Sequence, residues 1–325
     1  VSELPEKPVG TGPYQLKEYK RGEYFTFEAN ENYYGGKPSI QNVTLRIIES
    51  TDTAKVALQK GEVDAAVVLP SDIEDLDDTQ ISVYPNTENR IGYLGLNTHS
   101  DALQDVKVRQ AVLFALNKDE LNQAAYLDED YYATPYSFLP PNNPYVTEDV
   151  EKYETNAEKA KELLQEAGVT DLSLNLAFNS TDPAQTIQAT LIQQQLQQAG
   201  ITVTLEGGDG TAIFTELKKP DSTKYNLFLG GYIMGNDPDL YGSLFETGGS
   251  ANYFQSNSET IDNLFAQAAV ELDTDKREAL YDDLQKAIAD EAIIYPIVDN
   301  KKILAVNNRI GNVEDAGLIP IYTFE

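Results

Sequence analysis

Residues 156 to 229 alternate helix and strand signals, and that alternation narrows the fold more than any other feature of the chain. Asn156 stands as N-cap of a helix that closes at Ala167-Gly168, and Leu172 to Phe178 follows as a strand. Asp182 starts a long helix with Ile187, Leu191, Ile192, Leu196 and Ala199 among its apolar positions. Gly200 ends it, strand Ile201 to Leu205 comes at once, and Tyr225 to Leu229 supplies another strand. Helices of this length, joined to strands by such short connections, pack on the sheet those strands form. The spacing predicts an α/β lobe.

The segments before it read as a second α/β lobe. Tyr14 to Tyr19, Tyr24 to Ala29 and Val43 to Glu49 carry β-branched, aromatic and alternating residues, with Arg21-Gly22-Glu23 as the turn between the first two. Thr51 to Gln59 is a helix capped by Ser50 or Thr51 with Gly61 past its end. Strands Val63 to Leu69, Ile81 to Tyr84 and Tyr93 to Leu96 complete the local pattern by residue 96. Beyond Asp101, Val106, Val108, Ala111, Val112, Ala115 and Leu116 recur at helical spacing. Pro135 to Tyr145 is an irregular loop, Thr260 to Leu272 and Thr274 to Ala289 are helices, and Ile293 to Val298 and Ile303 to Val306 return as two strands. The expected division is 1–96 with 301–325 against 97–300.

The segment with most chemistry is Gly230 to Phe245, GGYIMGNDPDLYGSLF, directly after the apolar run ending at Leu229. Glycines late in a strand remove the side chains that keep another backbone away, so Gly230 and Gly231 would let an extended ligand approach the main chain. Tyr232 and Ile233 lead into a loop where Asp237 and Asp239 flank Pro238. A β-bulge followed by a turn accounts for the same residues.

Composition excludes several classes of function. The chain holds 24 Lys+Arg against 53 Asp+Glu, a formal charge of -29, which opposes binding to nucleic acid or anionic lipid. With no cysteine there are no disulfides, thiolate metal sites or cysteine nucleophile, and one histidine, His99, leaves little for histidine-dependent catalysis or zinc. No cofactor is expected. Asp237 to Gly242 mimics the start of a calcium loop but has Gly248 where the twelfth-position Glu is required. Gly207-Gly208-Asp209-Gly210-Thr211 lacks the phosphate-loop lysine and reads as a turn before a helix. Asp237 and Asp239 as an acid and base pair would need a raised pKa and a fixed separation that spacing alone does not supply, so the protein is read as a non-enzyme.

Four pieces in order resemble the extracellular solute-binding proteins of peptide ABC importers, the dipeptide- and oligopeptide-binding family. They are Val9-Gly10-Thr11-Gly12-Pro13-Tyr14, Gly61-Glu62-Val63-Asp64-Ala65, Asp105 to Ala111 leading to Ala115-Leu116-Asn117-Lys118-Asp119, and Gly231-Tyr232 followed after four residues by Asp237-Pro238. The resemblance covers essentially the whole chain. It implies an α/β fold of the periplasmic-binding-protein type, two lobes around a ligand cleft with hinge strands near Gly95-Leu96-Asn97 and Val298-Asp299-Asn300. It also implies an incomplete first lobe, because the GTGPY-like segment lies well inside such proteins.

For function, the resemblance implies an extended peptide ligand paired like an added strand, with an aspartate of the key loop on its amine. Here that role falls on Asp237, on Asp239 or on neither, since some relatives carry the aspartate where this chain has Met234, Gly235 and Asn236. Tyr232 stands where relatives often have Trp, and Gly230, Gly231, Ile233, Asn97 and Asn300 complete the expected ligand-binding set. Implied partners are ABC permease subunits. The expected setting is the outer face of a bacterial membrane, lipid-anchored through a missing amino terminus, or the periplasm. The full-length form is expected to be monomeric, and this stretch alone to bind poorly and to dimerise through an exposed strand edge. Alternatives within the family are a chelated metal, a sugar or a signalling peptide.

Overall fold

The computed structural model describes residues 8–313, whose contacts gather into two units: 8–86 with 302–313, and Thr87–Lys301. In the first, β1 (Tyr14–Lys20), β2 (Tyr24–Ala29) and β3 (Asn42–Arg46) form an antiparallel sheet in that order. The β1–β2 turn closes because Gly22 takes φ +76° and the Glu23 N–H donates to the Lys20 carbonyl at 3.0 Å. Helix α1 (Thr51–Gln59) starts where the Ser50 hydroxyl accepts from the Thr53 N–H at 3.3 Å. Lys55 on α1 meets Asp72 at 2.7 Å, with both side chains largely buried, and so ties the helix to the turn at Pro70–Asp75. β4 (Ala65–Val68) and β5 (Ile81–Thr87) follow.

The second unit contains β6 (Arg90–Leu96), α2 (Val106–Phe114), α3 (Lys118–Tyr126), the two-residue β7 (Tyr132–Ala133) and α4 (Ala157–Glu166). After these come β8 (Leu172–Asn179), α5 (Pro183–Gln198), β9 (Ile201–Gly208), α6 (Gly210–Leu217) and β10 (Leu227–Ile233). The short α7 (Gly242–Phe245), α8 (Glu259–Ala268), α9 (Thr274–Asp290) and β11 (Ile294–Asn307) close the order. Its sheet runs β11-β6-β10-β8-β9, with β8 parallel to β9 and to β10, and β6 antiparallel to both neighbours.

Both faces of this sheet are covered, so β10 reads as a nearly continuous apolar run. Leu227 and Leu229 join a core with Leu94, Leu96, Leu176 and residues of α2 and α5 such as Val112, Ile192 and Leu196. Phe228 and Tyr232, on the alternate positions, join Tyr93, Phe254, Phe265 and Tyr281 on the other face. The second face is the richer in aromatic rings.

Three features depart from the sequence reading. Strand β6, expected with the first lobe, packs in the second unit because every residue of it is paired with β10 from Leu96–Leu227 to Arg90–Ile233. The two units therefore meet in the chain at Asn86–Thr87 and Lys301–Lys302. β11 is one strand rather than two. Its polar middle continues the ladder, with Asp299 and Asn300 opposite Ala133 and Tyr132, and Ile303 to Val306 then pairs with β4 inside the first unit. Helix α3, left unassigned by the sequence reading, is capped by Asn117, whose side chain accepts from the Glu120 N–H at 3.1 Å.

Candidate functional site

The site is built where β10 leaves the core. At Leu227 and Phe228 the strand is held on both sides, by β6 and by β8. Beyond Phe228 the ladder with β8 ends, and from Leu229 to Ile233 β6 is the one strand paired with β10 among the described residues. Gly231 and Ile233, the latter 57% exposed, bring solvent to this stretch, whereas Gly230 and Tyr232 are buried.

The glycines serve purposes that the sequence did not reveal. Gly230 lies opposite Tyr93, and a Cβ there would stand 2.7 Å from the Tyr93 ring and 3.0 Å from Phe214. Gly95 opposite Phe228 is the reciprocal case, at 2.3 Å. Each glycine makes room for the aromatic on the facing strand, so Gly230 faces a filled core on its side-chain side. Gly231 lies opposite Gly92, and over the Gly231 position lies the Arg90 guanidinium, 2.3 to 3.1 Å from where a Cβ would be.

Arg90 is the residue that sequence reasoning missed. Its Nη1 donates to Asn300 Oδ1 at 2.7 Å, which joins the start of β6 to the middle of β11. Beside Asn300, Asp299 is buried and accepts from the Thr87 hydroxyl at 3.1 and 3.2 Å. Burial pushes its carboxyl up, and the Thr87 hydroxyl, the Arg90 backbone N–H and the Arg90 charge pull it back. The only sequence signal for this cluster is an Arg two residues before a glycine in an apolar run, and it acquires meaning only through the register.

The loop beyond is tied to its surroundings. Asp237 accepts from the Asp239 N–H and from Arg277 of α9, both at 3.2 Å, and Arg277 also donates to Tyr281 at 3.1 Å. Asn143 donates to the Asn236 carbonyl at 3.1 Å, and Pro238 and Tyr241 are buried. Asp237 therefore both caps the turn and pairs with α9, while Asp239 stays exposed. Tyr232, expected as a surface for ligand side chains, has its ring in the aromatic core, and its hydroxyl donates to the Phe138 carbonyl at 2.5 Å. Asn97 is fully buried: its amide donates to the Ser222 and Tyr225 carbonyls and its Oδ1 accepts from the His99 N–H. Gly231, Ile233 and Asn300 thus gather around Arg90, and Gly230, Tyr232 and Asn97 belong to the packing.

A cavity of about 880 Å³ lies on α3 and β7, lined among others by Asp119, Glu120, Glu129 and Tyr132. Its carboxylates give it the opposite charge character to Arg90. Among the described residues no group of three His, Cys, Asp or Glu side chains is placed to hold a metal ion, and no helix is long and apolar enough to cross a membrane.

Over residues 1–254 the sequence matches the family described as bacterial extracellular solute-binding proteins, family 5 middle. The chain is 30% identical to the dipeptide-binding protein of Escherichia coli, across 89% of this chain and 56% of that protein. It is 27% identical to the oligopeptide-binding protein AppA of Bacillus subtilis, across 88% and 55%. The crystal structure of the ABC transporter substrate-binding protein CtaP from Listeria monocytogenes superimposes with a TM-score of 0.91 at 34% identity, covering 97% of this chain and 65% of that one. The chain thus spans 55 to 65% of the length of these three proteins.

Proposed function

This chain belongs to the bacterial extracellular solute-binding proteins of family 5, and from that premise we propose that it binds extended peptides and delivers them to an ABC permease at the outer face of a bacterial membrane. The observation that carries the reading is the end of β10, where the ladder with β8 has stopped and Gly231 and Ile233 are exposed. A peptide laid along it in extended form would add a strand, with main-chain hydrogen bonds supplying affinity that tolerates many sequences. Gly231 and Ile233 are the positions that reach solvent along this stretch. The names of two similar proteins, dipeptide-binding and oligopeptide-binding, support the same ligand class.

Binding rather than catalysis fits the carboxylates of the loop. Asp237 is engaged by Arg277 and by the turn it caps, a structural role within the loop. Incubation with a mixed peptide pool, followed by mass spectrometry of what stays bound and what appears in solution, tests the reading. Intact retained peptides are the expected result, and cleavage products accumulating with time would overturn it.

A further inference from the structure

We propose that the ring of Tyr136 is a gate over Lys118, closed while that amine is neutral and swung out to admit water when it takes up a proton. Lys118 opens α3 but sends its side chain inward, and the residue is 7% exposed. Its one hydrogen bond among the described residues goes to the Pro135 carbonyl at 2.8 Å, so a protonated Nζ would keep two N–H donors without an acceptor. The ring centroids of Tyr136 and Tyr295 each stand 4.5 Å from Nζ. The adjoining cavity, of about 10 Å³, is at the lower limit for a single water molecule. An ammonium buried there lacks the hydration that would hold it.

The surrounding elements supply little counter-charge. Asp119, exposed on α3, is the one carboxylate that favours the charged amine. Glu151 lines the cavity but accepts from the Tyr153 N–H at 3.2 Å, and the Tyr153 hydroxyl donates to the Ala289 carbonyl at 2.7 Å. Lys152 adds a second positive charge, 4.8 Å from the Tyr136 centroid. β11 presents the Tyr295 ring, and α9 presents Gln285 and Ile288, neither of which ionises. Tyr136 is the loosest wall of the cavity. It is 38% exposed, and among the described residues its side chain is held by the two lysines rather than by a hydrogen bond. Its neighbours are fixed: Ser137 donates to Gln285 at 2.7 Å, and Phe138 is buried in the aromatic core.

Burial lowers the amine from 10.5 to about 7, and rotation of the Tyr136 ring outward restores its hydration and its ordinary value. Between those two values the open form holds a proton that the closed form has lost. Opening therefore becomes rarer as pH rises across that window, and is level below it. From pH 6 to pH 9 the opening constant falls about a hundredfold. The gate stands two residues before Phe138, whose carbonyl accepts from the Tyr232 hydroxyl of β10 at 2.5 Å, and the same loop reaches the Asn236 carbonyl through Asn143. Proton uptake thus loosens the start of the loop that braces the candidate site.

The test needs no ligand and uses the full chain, which has no cysteine, so that Ser137→Cys or Ile288→Cys supplies a single thiol. Both positions are buried and line the cavity. The rate of labelling by an aromatic disulfide, from pH 6 to pH 9, is divided by the rate in the urea-unfolded chain at the same pH, which removes thiol ionisation and leaves the opening constant. That constant is expected to fall about a hundredfold in either variant and to stay level when Lys118→Met is added. At pH 6 it should exceed by about tenfold the constant read by Ile192→Cys, in the core on the other face of the sheet, which reports global unfolding. Tyr136→Ala should leave the cavity open at every pH. The gate is overturned by a constant independent of pH with Lys118 present, by the same fall after Lys118→Met, by equal labelling at Ile192→Cys, or by protection that Tyr136→Ala leaves unchanged. Should Ser137→Cys fail to fold for want of its hydrogen bond to Gln285, Ile288→Cys decides alone.

Discussion

Lys118 opens α3 with its side chain buried in the second unit, and replacing it by Met should stabilise the protein most at low pH. Its Nζ donates to the Pro135 carbonyl at 2.8 Å and stands 4.5 Å from the ring centroids of both Tyr136 and Tyr295. Burial pushes its ammonium from the ordinary 10.5 down to about 7, with Asp119 opposing weakly. At 1.36 kcal/mol per pH unit this displacement costs the charged form about 5 kcal/mol. The direction follows from linkage. Between about 7 and 10.5 the unfolded chain holds a proton that the folded one has lost, so stability rises with pH across that window. Below it the burden is present in full, and above 10.5 it is absent. Urea denaturation of wild type and Lys118→Met, followed by far-UV circular dichroism, should show Met more stable at pH 6, less the roughly 1 kcal/mol lost by leaving the Pro135 carbonyl without its donor. By pH 10 the difference should have moved by about 4 kcal/mol in favour of the wild type. A difference that stays constant from pH 6 to 10 would refute the buried, easily deprotonated lysine.

Asp237→Asn should lower peptide affinity by only about threefold, equally for free-amine and N-acetylated peptides, because the carboxylate is half exposed and already paired with Arg277. A loss of thirtyfold or more confined to free-amine peptides in calorimetry would instead make Asp237 the partner of the ligand amine. Gly95→Ala should cost roughly 1 to 3 kcal/mol by thermal or chemical unfolding, since its Cβ would stand 2.3 Å from the Phe228 ring; an unchanged midpoint would show that the ring moves freely. Asp182→Ala should cost about 1 kcal/mol, because its side chain accepts from both the Ala184 and Gln185 N–H groups at the start of α5; full stability would show that water replaces the cap.

What the sequence determined alone is what depends on nearest neighbours along the chain. The caps Ser50, Asn156 and Asp182, the terminating Gly61, Gly168 and Gly200 in positive φ, and the alternating residues of β8 and β10 each specify a local conformation, and the helices and strands between them stand as those signals indicate. The weaker signals of α3, and of the polar middle of β11, are settled by what packs against them. Only tertiary structure decided which sheet β6 joins, because a strand carries no mark of its partner until the register is made. The same register decided the roles of the glycines. Gly230 and Gly231 are adjacent and alike in sequence, but strand alternation turns one toward the Tyr93 ring and the other toward the Arg90 guanidinium, so one serves the aromatic core and the other makes room for a cation. Asp237 and Arg277 are 40 residues apart, and whether that aspartate is free for a ligand depends on a helix that the local sequence does not contain.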